Sequence, residues 1–150
     1  MSFKTVHLNE KTIVGITART SNSAPDMQAV IASLWQRFFE GGEAKRIKNA
    51  AAPIPIGLYS DYSQANTAKE LEYDITVGFE VADGGDIPQG MTAKHIPAGD
   101  YAIFSAKGTS EAVAALWQEI WATPLNRRYS GDFELYGASG DQIEIYIALN

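Results

Sequence analysis

Four residues near the C-terminus combine two carboxyl and two phenol groups at alternating spacing. Glu134 and Tyr136 lie in the run Asp132-Phe133-Glu134-Leu135-Tyr136, and Glu144 and Tyr146 in Gln142-Ile143-Glu144-Ile145-Tyr146-Ile147. In an extended chain, residues two apart share a face. Each run therefore has its acid and phenol on one side and its apolar residues on the other. The intervening Gly137-Ala138-Ser139-Gly140-Asp141 is rich in turn formers, so the two runs are expected to pair as a hairpin. If both apolar faces meet the same core, the other face gathers both acids and both phenols. Carboxylates supply the charge, and ring faces supply cation–π attraction, for an organic cation. A solvated sheet face carrying Glu and Tyr satisfies the same pattern.

Three earlier runs carry related residues, and the chain repeats itself. Val30-Ile31-Ala32-Ser33-Leu34-Trp35-Gln36 matches Ala112-Val113-Ala114-Ala115-Leu116-Trp117-Gln118; Leu58-Tyr59 matches Leu135-Tyr136; Ile75-Thr76-Val77 matches Ile145-Tyr146-Ile147. Matches in the same order point to an internal duplication, with residues 1–82 as one module and 91–150 as the other inside a single domain. The alignment sets Gly57 opposite Glu134 and Thr76 opposite Tyr146. One half then supplies a carboxylate where the other supplies no side chain, an arrangement suited to a cleft that admits a flat molecule and anchors it by one charge. A strand bulge or a close backbone approach explains Gly57 equally well. Tyr59 and Tyr136 are equivalent in the repeat and would flank such a cleft from both sides. Trp117 and Trp121 share a helix face; Trp117 is a candidate for the pocket wall as well as the core. Tyr73 reads as core.

The elements that must position these residues follow from periodicity and turn chemistry. Phe3 to Leu8 and Thr12 to Arg19 read as strands about Asn9-Glu10-Lys11. Ser23-Ala24-Pro25-Asp26 reads as a helix start, and Met27, Val30, Ile31, Leu34, Trp35 and Phe38 carry the helix to about Glu40, where Gly41-Gly42 stops it. A basic, alanine-rich connector with one helical turn leads to strands over Ile56 to Tyr62 and Leu71 to Val81, then a linker from Ala82 to Gly90. Strands over Thr92 to Ile96 and Tyr101 to Ala106 precede a helix that opens at Gly108-Thr109-Ser110-Glu111 and ends before Pro124. The fold class is α+β.

Composition narrows the function. The 150 residues suit one domain with a real core. Charged residues are 20% and the net charge is −6, and the only tight basic cluster is Lys45-Arg46-x-Lys48. That balance disfavours direct nucleic-acid binding and favours cationic ligands. The chain has no cysteine, which excludes thiol catalysis and thiolate metal sites. His7 and His95 lack ligand-spaced companions, so no metal site is expected. Nucleophile elbow, phosphate loop and dinucleotide fingerprint are all absent, and no cofactor is expected. With no signal-like N-terminus and no apolar run of membrane length, the expected location is cytoplasmic.

The run Ile96-Pro97-Ala98-Gly99-Asp100-Tyr101-Ala102-Ile103-Phe104, then Gly108, Leu116-Trp117, Phe133-Glu134-Leu135-Tyr136 and Ile143-Glu144-Ile145-Tyr146-Ile147, resembles the GyrI-like small-molecule-binding family. That family includes the effector-binding domains of AraC- and MerR-type multidrug-responsive regulators. The resemblance implies two strand–helix–strand–strand modules, a curved antiparallel sheet with two main helices, and a ligand pocket at the module junction. It assigns the pocket acid to Glu134 and, less specifically, the Glu-x-Tyr of the last strand to Glu144 and Tyr146. Together with the carboxylate and ring chemistry above, it makes the expected ligand a hydrophobic cation; with no apolar run of membrane length, no membrane partner is expected. Family regulators carry a DNA-binding domain ahead of this module, whereas here the first strand begins at Phe3. The expectation is a free-standing sensor or sequestering domain, or one working with a protein partner or as a homodimer. Some members are hydrolases, in which case Glu134 would act as general base assisted by a Tyr hydroxyl. A protein–protein inhibitor is the third reading.

Overall fold

Two very short connections dictate the shape of the sheet. In the computed structural model, which describes residues 3–51, 54–63, 72–82, 87–139 and 142–150, strands β1 (Lys4–Leu8) and β2 (Lys11–Ser21) are joined by Asn9 and Glu10 alone. Pro97 and Ala98 likewise join β5 (Thr92–Ile96) to β6 (Gly99–Lys107). Neither pair forms a hairpin. Completed by β3 (Ile56–Ser60), β4 (Glu72–Val81), β7 (Asp132–Ser139) and β8 (Gln142–Ala148), the eight-stranded sheet has the order β1-β6-β8-β7-β3-β4-β2-β5. Each two-residue link thus runs from one edge of the sheet to the strand next to the opposite edge. Such a link reaches only about 10 Å, so the sheet must curl until its edges approach.

The curl creates two environments. On the concave side, residues from seven strands meet in one core: Ile13, Ile56, Leu58, Ile96, Tyr101, Phe133 and Ala148, with Val6 and Leu8 against them. On the convex side lie two helices, α1 (Met27–Phe39) and α2 (Ser110–Ala122). α1 buries Leu34 and Phe38 on Val14, Ile16, Ile75 and Val77; α2 buries Leu116 and Ile120 on Phe104, Ile143, Ile145 and Ile147. Most strands are therefore covered on both faces. The sheet is antiparallel throughout its described pairings and, with its two helices, is the curved α+β architecture the sequence implies.

The element order runs β1–β2–α1–β3–β4, then β5–β6–α2–β7–β8. Exchanging each element for its counterpart in the other run reverses the sheet order onto itself, with the β3–β7 seam at the centre.

Local chemistry explains the ends of the helices, with one correction. Thr109 caps α2, its hydroxyl accepting from Ala112 N at 3.2 Å, as Gly108-Thr109-Ser110-Glu111 predicts. α1 starts at Met27, later than Ser23 suggests; Asp26 precedes it without a side-chain cap, and the Ser23 hydroxyl bonds Ser21 instead. Gly42 takes φ +81°, a left-handed conformation that glycine adopts freely, and opens the one helical turn of the connector, Glu43–Arg46. Leu71, the linker residues 83–86 and the Gly140-Asp141 turn lie outside the described residues.

Candidate functional site

Glu134 stands at the seam. It lies on β7 directly across from Gly57 on β3, and its side chain points to the convex face, between the helices. The residue is 1% exposed. Three neutral donors hold its carboxylate: Trp117 Nε1 donates to Oε2 at 2.7 Å, Tyr59 Oη to Oε2 at 3.1 Å, and Tyr136 Oη to Oε1 at 2.8 Å. Among the described residues, no Lys, Arg or His forms an ion pair with it.

Each donor arrives from a different element for a local reason. Tyr136 is two residues along the same strand face, Tyr59 is two residues past Gly57 on β3, and Trp117 projects from the buried side of α2, one residue after Leu116. Trp35, one residue after the buried Leu34 of α1, occupies the corresponding place on the other side. Its ring meets Tyr136 edge-on at 4.6 Å, and it would lie 3.1 Å from a Cβ on Gly57. Tyr59 in turn meets Trp117 and Tyr73 edge-on, both at 5.3 Å. These rings form the wall of a cavity of about 620 Å³ between α1 and α2, at the junction of the two runs.

Electrostatics follow from this burial. Desolvation raises the Glu134 carboxyl above its ordinary range, while the hydrogen bonds from Trp117, Tyr136 and Tyr59 oppose the shift. The neighbouring phenols move further up: burial raises Tyr59 and Tyr136, and the Glu134 carboxylate beside them adds to it. Tyr73 is pushed up to about 12, first by burial and then by Glu134. The tyrosines therefore stay protonated and act as donors.

Of the residues singled out from sequence, Glu134, Tyr136, Tyr59 and Trp117 converge here. Gly57 does not line the cavity; the room it leaves is taken by the Trp35 ring and by Glu134 Oε1, both 3.1 Å from where its Cβ would be. Glu144 and Tyr146 are not at this site. β8 pairs with β7 so that Glu134 faces Ile145 and Tyr136 faces Ile143, while Tyr146 stands across from Phe133. Glu144 and Tyr146 thus share the opposite face with Phe133 and Leu135. Tyr146 stacks on Phe133 at 4.5 Å, and its hydroxyl donates to Glu144 at 3.4 Å. The expected cluster of two acids and two phenols is split by one residue of register. The physical cause is packing: the Ile face of β8 goes under α2, and the Phe133 face of β7 goes into the concave core.

Sequence reasoning missed Trp35, although its match to Trp117 was a usable signal. It also missed Tyr62 and Arg127, and it assigned Tyr73 to the core alone; all three line the cavity. Tyr62 lies beyond β3, which ends at Ser60 and not at Tyr62 as the sequence suggests, and Arg127 sits in an irregular segment where no periodicity marks a face.

The family model described as "Cass2: Integron-associated effector binding protein" matches residues 4–149. The chain belongs to this family. The integron cassette protein VCH_CASS2 from the mobile metagenome of Vibrio cholerae is 28% identical, with a TM-score of 0.74 over 99% of this chain and 95% of its own. SAV2435, solved bound to tetraphenylphosphonium, is 19% identical and shares the fold, with a TM-score of 0.76 over 100% of this chain and 94% of its own. The transcriptional regulator BrlR of Pseudomonas aeruginosa is 29% identical in a 131-residue alignment that covers 79% of this chain and 46% of BrlR. The family member described here thus spans about half the length of that curated relative. The family's description is that of effector-binding proteins. Among the described residues no helix is long and apolar enough to cross a membrane.

Proposed function

We propose that this effector-binding chain takes hydrophobic aromatic cations into the cavity between α1 and α2, with Glu134 as their charge partner. One observation carries the reading: a carboxylate 1% exposed is held, among the described residues, by neutral donors alone, in a cavity walled by tryptophan and tyrosine. Burying a carboxylate without an opposite charge is unfavourable, and hydrogen bonds from neutral groups offset only part of the loss. A cationic ligand supplies the missing charge. The ring faces of Trp35, Trp117, Tyr59 and Tyr136 each add about 0.5–2 kcal/mol to a desolvated cation. The tetraphenylphosphonium found on SAV2435 is a ligand of this chemical kind.

The same reading accounts for Gly57. We take residues 1–82 and 91–150 as diverged copies of one unit, which makes Gly57 and Glu134 equivalent positions that face each other across the seam. Two glutamates there would be cross-strand neighbours about 5 Å apart and would repel. Glycine in one copy leaves a single charge at the centre, matched to a single cation. In this role the chain senses or sequesters its effector.

Tryptophan fluorescence tests the proposal, because Trp35 and Trp117 lie in the wall. Tetraphenylphosphonium should quench saturably, and neutral triphenylphosphine oxide should need at least a tenfold higher concentration. Equal response to both compounds, or none to either, overturns the reading.

A further inference from the structure

The cavity has a second polar pole, away from Glu134. Arg127 lines it, with a side chain only 9% exposed. The segment carrying it is pinned to the end of β8: Arg127 bridges to Leu149, Arg128 N donates to Ala148 O at 2.9 Å, and Asn150 N to Asn126 O at 2.9 Å. Its Nη2 donates to Asp132 Oδ2 at 2.6 Å, and its guanidinium lies over the Tyr129 ring at 4.3 Å. Asp132 is fully buried and otherwise engaged, accepting from Tyr62 Oη at 2.7 Å and from Ala148 N at 2.8 Å.

The guanidinium is therefore rigidly placed but little used. Among the described residues, one of its five N–H donors has a protein acceptor; Nε is buried without one, and Nη1 makes no hydrogen bond. The Asp132 carboxylate balances its charge, so the pole is a neutral pair with spare donors and not a free cation. Asp132 and Glu134 are two residues apart on one strand face, about 7 Å. Between the two poles runs an aromatic wall, Tyr59 to Tyr73 at 5.3 Å and Tyr73 to Tyr62 at 6.0 Å.

We infer that Arg127 is a second anchor, which selects aromatic cations that also carry a hydrogen-bond acceptor such as a carbonyl or carboxylate. The acceptor must sit roughly one ring system from the positive centre, so that the cation meets Glu134 while the acceptor takes the spare guanidinium donors. A ligand with both groups leaves neither pole unsatisfied, whereas a plain cation leaves the Arg127 donors without a partner. The inference rests on the proposed cation site and names the ligand class of that same cavity.

Two probes of matched size test it by calorimetry on the full chain: pentyltriphenylphosphonium and (4-carboxybutyl)triphenylphosphonium. Wild type should bind the carboxylated probe at least as tightly as the pentyl probe, although a second negative charge enters a site that already holds Glu134. In Arg127→Lys, which keeps the charge beside Asp132 but loses the fork of donors, the affinity ratio should turn against the carboxylated probe by tenfold or more. If that variant loses its circular dichroism signal, the double variant Arg127→Gln with Asp132→Asn removes the buried pair as a unit and carries the same comparison. A carboxylated probe tenfold weaker than the pentyl probe in wild type, or a ratio unchanged in the folded variant, overturns the second anchor and leaves the cation site standing. Failure of both probes to bind wild type removes the cation site and this inference with it.

Discussion

Gly57 and Glu134 are register partners across the β3–β7 seam, and a Cβ on Gly57 would stand 3.1 Å from Glu134 Oε1 and 3.1 Å from Trp35 Cζ2. The absent side chain is what lets the carboxylate and the indole occupy the same level of the structure. Gly57→Ala should therefore lower stability by about 1–3 kcal/mol, the range for overpacking a filled site, and should shift the Trp35 emission. Denaturant unfolding followed by circular dichroism, with the Trp35 emission isolated in a Trp117→Phe, Trp121→Phe background, checks this. An unchanged midpoint and spectrum would mean that the seam has slack.

Protonation of Glu134 should be visible in stability. Burial raises its carboxyl above the ordinary value of 4.5, with the three hydrogen bonds opposing. The folded chain thus holds this proton more tightly than the unfolded chain does. Between the unfolded value and the raised folded value, stability falls as pH rises, and the loss is complete above the folded value. Glu134→Gln removes this dependence, and a Gln amide can still accept from Trp117 and Tyr59 while donating to Tyr136. The variant should exceed wild type by about 1–3 kcal/mol at pH 7, with the difference shrinking toward pH 4. A difference independent of pH would show that the carboxyl is not perturbed in the folded state.

Glu144 and Tyr146 provide the negative control. They lie on the sheet face opposite the cavity, so Glu144→Gln should leave ligand affinity within twofold of wild type. Tyr146→Ala loses its stack on Phe133 and should destabilise by about 2 kcal/mol, with affinity kept in the folded fraction. A tenfold affinity loss from Glu144→Gln would contradict the register.

Asp132→Asn tests the buried pair without touching the cation site. Asp132 is fully buried against Arg127, and breaking such a pair leaves an uncompensated guanidinium. The expected loss is about 3–5 kcal/mol, read from urea unfolding. A loss below 1 kcal/mol would mean that water already reaches Arg127 freely.

These sites show how far the sequence carries. The alternation within each strand correctly groups Glu134 with Tyr136 and Glu144 with Tyr146, because side chains two apart must share a face. Which groups face each other across strands is a separate question, decided here by a sheet buried on both sides. With an apolar face on each strand and cover on both sides of the sheet, either register buries one of them, and alternation alone does not choose. Tyr59 and Tyr136 were legible as matched positions of the expected repeat, and Trp117 as a large aromatic where two modules would meet; the match of Trp35 to Trp117 was also in the sequence, but helical spacing alone assigns Trp35 to the core. The pairing of β1 with β6 and of β2 with β5 was not legible. A two-residue link ordinarily signals a hairpin, and only the closing of the curled sheet explains why these links cross between its edges. Arg127 lies in an irregular segment, where its place depends on pairing with Leu149.

The most direct measurement compares tetraphenylphosphonium binding to wild type and to Glu134→Gln by calorimetry at pH 7. If Glu134 is the charge partner, wild type binds one cation per chain, and the variant, still folded, binds it about 10- to 100-fold more weakly, the range for losing a charged partner. Equal affinity of the two proteins for the cation would contradict the central claim.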